Sequence, residues 1–439
     1  MTFTAWKFIT TVTLLTAMAT PIQLAAQGQQ YQQKQTHYVV QDLGQLGGTV
    51  FFASAEGISN RGWAIGGANV AGNQSQHAFL WRDGVMTDLG TLGGMWSDFN
   101  FPEKVDQEFV AGYAETSQQD PLAENYCGTG TGLICAPFLW ENGAMTQLPT
   151  LGGNNGYGAN INHRHQVVGY AETSTLDPTC LPPLQLNYQG VVWGPKSGQM
   201  QVLPPFPGDD ASTGIGINDR GDVIGESGAC GATLRGVIWH NGVPFDIGGL
   251  GGSVPYTFPW AINNKGHVIG QSNAETILYG PIVHAFLWER GVMTDLGVLP
   301  NFNFVSASFG FNDKGQVVGI SLDTNGNAHG FIWQDGVMTD LNDLIQPGAL
   351  AIYNGNDIND EGEIVGTGID QGGGIHAILL IPCDEKHANA QNCAHTAGNR
   401  TEATVNGERP EGIVPQDLRE QLLKRLNLGR LVSGSARPN

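Results

Sequence analysis

The chain of 439 residues carries 40 acidic against 20 basic groups, a formal net charge of −20. Such a field repels phosphate backbones and anionic lipid surfaces, so nucleic acid is not an expected partner. Charge of this sign serves solubility outside the cell, and a cation-loaded surface is the alternative use.

Residues 1–26 read as a secretory signal peptide. Lys7 precedes an apolar run from residue 8 to about 18, and Leu24-Ala25-Ala26-Gln27 suits cleavage after Ala26. No later apolar run approaches the roughly 18 residues that a membrane span requires. The expected protein is therefore secreted, extracellular or periplasmic, with no membrane span after signal removal.

Trp81, Trp140, Trp193, Trp239, Trp288 and Trp333 recur at intervals of 59, 53, 46, 49 and 45 residues, and Leu380 takes the same place 47 residues later. Their neighbours agree: His77-Ala-Phe-Leu-Trp81, Gly190-Val-Val-Trp193 and His284-Ala-Phe-Leu-Trp288, ending with His376-Ala-Ile-Leu-Leu380. A period of this length marks a repeat fold whose units cannot bury their faces alone. Each unit offers four short strands. The first ends in a turn such as Ile217-Asn-Asp-Arg-Gly221 or Ile358-Asn-Asp-Glu-Gly362, whose Asn, Asp and Gly tolerate positive φ. The second follows at once, as in Val223-Ile-Gly225, and its Gly suits a place where another backbone comes close. The third carries the Trp. A second turn, such as Asp83-Gly84 or Asn241-Gly242, leads to the fourth, such as Val85-Met-Thr-Asp-Leu89. The second unit departs from the pattern, with Val105-Asp-Gln-Glu108 in place of the Asn turn.

The seventh unit stops at Leu380-Ile-Pro382 without a fourth strand, whereas Tyr38-Val-Val-Gln-Asp-Leu-Gly-Gln-Leu-Gly-Gly48 is a fourth strand with no unit before it. The economical arrangement is an all-β, seven-bladed β-propeller of four strands per blade. The N-terminal strand from Tyr38 to Gly48 completes the last blade and removes two exposed edges. The propeller is expected over residues 27–382, a polar linker over 383–414, and a short C-terminal amphipathic helix with its tail over 415–430.

The His-Ala-Phe-Leu-Trp, Asn-Asp-x-Gly and Met-Thr-Asp-Leu-Gly-x-Leu-Gly-Gly elements, in fixed order over residues 38–381, resemble those of the HAF-type extracellular repeat family of bacteria. The resemblance implies an exported repeat protein and supplies no catalytic residues.

Six cysteines in an exported chain are expected to pair. Spacing favours Cys127 with Cys135 and Cys383 with Cys393, leaving Cys180 for Cys230; other connectivities stay open, and no Cys-x-x-Cys points to zinc.

In a four-stranded blade the tight turns lie at one end, and the connections from strand two to three and from blade to blade lie at the other. Length variation falls at this second end, in 115–136, 172–189 and 272–283, and variable loops on a rigid scaffold carry binding. Aromatics there make Trp96, Phe99, Tyr157, Tyr256, Trp260 and Phe302 the candidate ligand contacts, with sealing between blades as the alternative use. His77, His284, His329 and His376 recur on separate blades, too far apart to share a metal, and are expected to bond the adjacent turn. No cofactor is expected, except that Asp323, Asn325 and Asn327 alternate as oxygen donors for calcium or form an ordinary Asx turn.

The tail sequence Pro415-Gln-Asp-Leu-Arg-Glu-Gln-Leu-Leu-Lys-Arg-Leu-Asn-Leu-Gly429 has helix start and stop signals, and Leu418, Leu422, Leu423 and Leu426 form one stripe. A helix this short must dock, on the propeller or on a partner protein. The functional expectation is a non-catalytic binding or scaffold propeller that recognises an extracellular glycan, peptide or protein through its variable loops. One alternative is an extracellular glycoside hydrolase or lyase using Asp98, Glu115, Glu172, Asp209 or Asp210. A second is a structural assembly module.

Overall fold

The computed structural model describes residues 36–49, 52–99, 109–196, 198–252, 255–277, 280–348 and 350–387, with Cys393 and Leu426. The expected signal peptide, the atypical turn at 105–108, the linker apart from residues 383–387 and Cys393, and all of the expected helix except Leu426 lie outside the described residues.

The described chain is all-β apart from one 3-10 turn at Leu341–Asp343. It forms seven consecutive four-stranded antiparallel meanders. The first comprises Ala53–Ile58, Ala64–Asn69, Gln76–Arg82 and Val85–Asp88, and the next five begin at Gly93, Gly152, Ala211, Thr257 and Val305. The last has Leu350–Ile358, Ile364–Asp370 and Ile375–Pro382, and its fourth strand is Tyr38–Asp42 from the start of the chain. That pairing runs from Tyr38↔Pro382 to Asp42↔Ile378 in unbroken antiparallel register. Meanders five and six are further joined by one parallel pair, Val283↔Val305.

Two glycine positions explain much of the local shape. In the second strands, a Cβ added at Gly169 would lie 1.8 Å from the Tyr157 carbonyl oxygen, and at Gly225 the same distance from that of Thr213. The first strand bulges toward its neighbour there, between Gly158 and Asn160 and between Gly214 and Gly216. The crowding argument made from sequence thus has a definite partner, the first-strand backbone. At the outer turns, Asp83 and Gly84 both have positive φ (52° and 84°), as do Asn241 and Gly242 (51° and 77°). This is the type I′ geometry that matches strand twist.

The repeated Asn of the first turn does two jobs. Asn218 Oδ1 accepts from Arg220 N and Asp222 N within its own turn, while its Nδ2 donates to Asn263 O of the next meander at 3.1 Å. Asn162 reaches Asn218 O, Asn312 reaches Asn359 O, and Asn359 reaches Ser59 O of the first meander at 2.9 Å. The last meander therefore meets the first through the same bond that links others in sequence. The third strand of each meander packs on the first strand of the next, and Ile375–Pro382 packs on Ala53–Ile58 in the same way. Buried Trp193 and Trp239 contribute to the packing between meanders, their indole nitrogens donating to Pro149 O and Pro204 O.

Three disulfides join Cys127 to Cys135, Cys180 to Cys230 and Cys383 to Cys393. The second ties the crossover loop of the third meander to that of the fourth.

Candidate functional site

At the crossover end, the second and third strands of three meanders run on past their sheets. The second extends to Gln119 and resumes at Leu133, the third extends to Leu176 and resumes at Leu186, and the fifth pairs as far as Ile277↔Gly280. Stretches expected as loops thus begin and end in hairpin arms. In the fifth, strand pairing covers nearly all of the 272–283 stretch.

Between the fourth and fifth meanders this end opens into a cavity of about 410 Å³. Its rim includes Gly248, Gly249, Gly251 and Gly252, which leave the backbone bare. One wall is charged. Arg235 Nη1 lies 2.6 Å from Asp246 Oδ2 and its Nε 3.3 Å from Asp209 Oδ2, with the guanidinium 4.6 Å from the centre of the Phe206 ring. The hydrogen bond that Arg235 donates to Asp246, together with both carboxylate charges, outweighs burial and raises the Arg235 pKa, so its charge is permanent. The floor is polar: Ser272 Oγ donates to Tyr256 O and accepts from Leu250 N, and Thr257 Oγ1 donates to Gly248 O. Asn273 is 1% exposed, and neither its amide oxygen nor its nitrogen has a hydrogen-bonding partner among the described residues. Leaving such a group buried and unbonded costs on the order of 1–3 kcal/mol, which a ligand group could recover.

Beside the cavity lies an apolar pocket. Tyr256, Phe258, Trp260, Val305, Phe309, Ile320 and Tyr353 form one cluster with Leu426 from the chain's end, which is fully buried. Tyr256 OH and Gln271 Nε2 both donate to the Leu426 carbonyl oxygen, at 2.9 and 2.8 Å.

The acidic candidates are dispersed. Glu115 is fully buried and accepts from the hydroxyls of Thr129 and Thr131. Glu172, also fully buried, accepts from Asn154 N, Asn155 N and Asn155 Nδ2; that amide nitrogen also donates to Asp120 and Glu124. Burial raises the Glu172 pKa to about 8; the Asn155 backbone bond opposes this and the neighbouring Glu124 charge adds to it. Asp98 is half-buried against Gln76, Asp209 is held by Arg235, and Asp210 is exposed.

The aromatic candidates divide by burial. Tyr256 and Trp260, each 1% exposed, belong to the Leu426 pocket, and Tyr256 also lines the cavity. Phe99 is buried edge-on against Phe138, with ring centres 6.0 Å apart. Tyr157 is buried in a stack between Tyr113 and Tyr170. Trp96 and Phe302 are half-exposed, the latter with its ring 4.1 Å from that of His329. Sequence reasoning missed Arg235, Gln271 and Asn273. The signal was present: Gln271 follows the repeated Gly270, where other units carry Gly67, Tyr113, Tyr170, Glu226, Ile320 or Thr367.

The repeated histidines pair across the third and fourth strands: His77 with Asp88, His284 with Asp295, His329 with Asp340, and His376 with Asp42 of the N-terminal strand. Each partner is the Asp of the fourth-strand motif, not the adjacent turn that the sequence suggested. In the calcium candidate, Asp323 Oδ1 accepts from Asn325 N and Asn327 N, and Oδ2 from Asn327 Nδ2 at 2.9 Å. The loop is an Asx-type turn closed by its own donors, with an amide NH2 directed at the carboxylate where a cation would need oxygen.

Among the described residues, no helix is long and apolar enough to cross a membrane. No family model matches the chain, and no curated protein is recognisably similar to it. Similar solved structures include the β-propeller domain of the Trilobed protease from Pyrococcus furiosus, 11% identical, with a TM-score of 0.48 over 76% of this chain and 96% of that one. TolB from Acinetobacter baumannii is 10% identical, with a TM-score of 0.36 over 72% and 79% of the two chains. Aleuria aurantia lectin is 9% identical, with a TM-score of 0.31 over 76% and 93%. These likenesses concern fold alone: the chain is an all-β protein of four-stranded antiparallel sheets, with β-propellers among its structural neighbours.

Proposed function

We propose that the chain is an exported, HAF-type repeat protein folded as a closed seven-bladed β-propeller, and that it binds an extracellular glycan or peptide through its crossover end. Closure is supported by the Tyr38–Asp42 strand in the last sheet and by the Asn359 bond to Ser59. Export is supported by three disulfides, which form in oxidising compartments.

The observation that carries the binding reading is the cavity between the fourth and fifth meanders. It combines a bare glycine rim, a fixed Arg235 charge and the Asn273 amide, which has no partner among the described residues, the donor and acceptor set that hydroxyl or peptide groups of a ligand match. Trp96 and Phe302 supply flat apolar surface at the same end. The glycoside hydrolase or lyase reading ranks second, because Glu115 and Glu172 are both fully buried.

The test is a screen of residues 27–439 against immobilised saccharides and peptides, with Arg235→Ala as the control. A ligand lost by at least tenfold in the variant is expected. Equal capture by both proteins would remove the cavity from the site, and release of new reducing ends from a polysaccharide would favour the enzyme.

A further inference from the structure

The pocket around Leu426 has the means to recognise a peptide. It buries the side chain fully, within one core cluster that includes Trp260, Phe309, Ile320 and Tyr353. It grips the main chain by placing two donors, Tyr256 OH and Gln271 Nε2, on one carbonyl oxygen. A carbonyl has two acceptor lone pairs, so this contact saturates it. Main-chain hydrogen bonds combined with a pocket for one apolar side chain are how linear peptides are read.

The architecture does not require these donors. Gln271 stands at a position where the six other units carry five different residue types, none of them Gln, so it was not placed by the repeat. Leu426 itself comes from beyond the last strand, 155 residues from Gln271 and 170 from Tyr256. The aromatic walls belong to the first strands of meanders five to seven, which the sheets hold in place with or without an occupant.

We propose that this is a peptide-recognition pocket and that the chain's own Leu426 is its tethered occupant, competing with an external peptide bearing an apolar residue. The proposal rests on the reading of the crossover end as a binding face and names its ligand class. A tethered occupant acts at an effective concentration on the order of 1 mM, so an external peptide succeeds when it binds tighter or when the tail is removed.

The experiment uses the full chain and a fluorescent synthetic peptide spanning residues 415–430. Leu426→Asp in the protein should raise affinity for the peptide at least tenfold over wild type, read by anisotropy. Adding Tyr256→Phe to that variant should lower it again by about tenfold, the worth of one buried hydrogen bond. A peptide carrying its own Leu426→Asp change should not bind. Equal affinity of wild type and variant, or no binding to a variant whose circular dichroism is unchanged, overturns the proposal. If Leu426→Asp fails to fold, Leu426→Ala takes its place with the same two outcomes. A ligand from the screen that is lost in Arg235→Ala but indifferent to Leu426, combined with no peptide binding, leaves the binding face standing and removes this pocket from it.

Discussion

The two ends of the sheets use the same polar chemistry in opposite ways. At the tight-turn end, Asn359 is fully buried and fully engaged: Oδ1 accepts from Glu361 N and Glu363 N, and Nδ2 reaches Ser59 O and Glu363 Oε2. At the crossover end, Asn273 is just as buried and its side chain has no partner among the described residues. Asn359 belongs to a repeated turn, and Asn273 lies within the second strand of the fifth meander, where other units carry Asn69, Glu115 or Glu172. The shared turn is thus saturated at Asn359, and among the described residues polar capacity remains at the crossover end at Asn273.

The largest effect should come from the saturated end. Asn359→Ala strands at least three hydrogen-bonding partners and should cost about 3 kcal/mol, seen as a lower urea midpoint. A loss below about 1 kcal/mol would break the contrast, because the turn would then hold without its staple.

Next, Glu172 sharpens it at the other end. Its folded pKa of about 8 lies above the ordinary carboxylate value, so the folded state holds a proton that the unfolded state has released. Stability from this group is full below the unfolded pKa and falls as pH rises toward 8. Glu172→Gln, which keeps the acceptor for Asn154 N and Asn155 N, should melt higher than wild type at pH 8.5 and match it near pH 4. An unchanged difference across that range would show that the group titrates normally.

The smallest effect belongs to the histidine pairs. Burial pushes the Asp340 carboxyl up, but the His329 hydrogen bond and charge, with the Asn342 bonds, more than offset it and leave the pKa low. A depressed carboxylate contributes stability above its unfolded pKa of about 4 and loses it as pH falls through the folded value. His329→Gln should therefore shift the acid-unfolding midpoint upward by a few tenths of a pH unit, on the order of 0.5 kcal/mol. No shift would make the repeated pair a packing feature alone.

Much of the repeat was legible because packing on a twisted sheet requires particular residues at particular places. The Asp83-Gly84 turn needs positive φ twice, and Gly169 sits where a side chain would meet the Tyr157 carbonyl. Their recurrence marked strands and turns directly. The His77 partner was misread because Asp88 lies eleven residues away on the next strand, a distance that only antiparallel register removes. The aromatic candidates were less legible. Tyr157 and Trp96 both lie on first strands, yet one is sealed in a tyrosine stack and the other reaches solvent.

By itself the sequence determined the period, the four-strand unit, the supply of a final strand from the N-terminus and the preferred disulfide pairs, since each depends on local stereochemistry or on counting along the chain. Only the tertiary structure decided which polar groups are left unpartnered and which apolar surface Leu426 covers. Those depend on residues from meanders far apart in sequence meeting at one end, and a pattern read along the chain carries no distance across it.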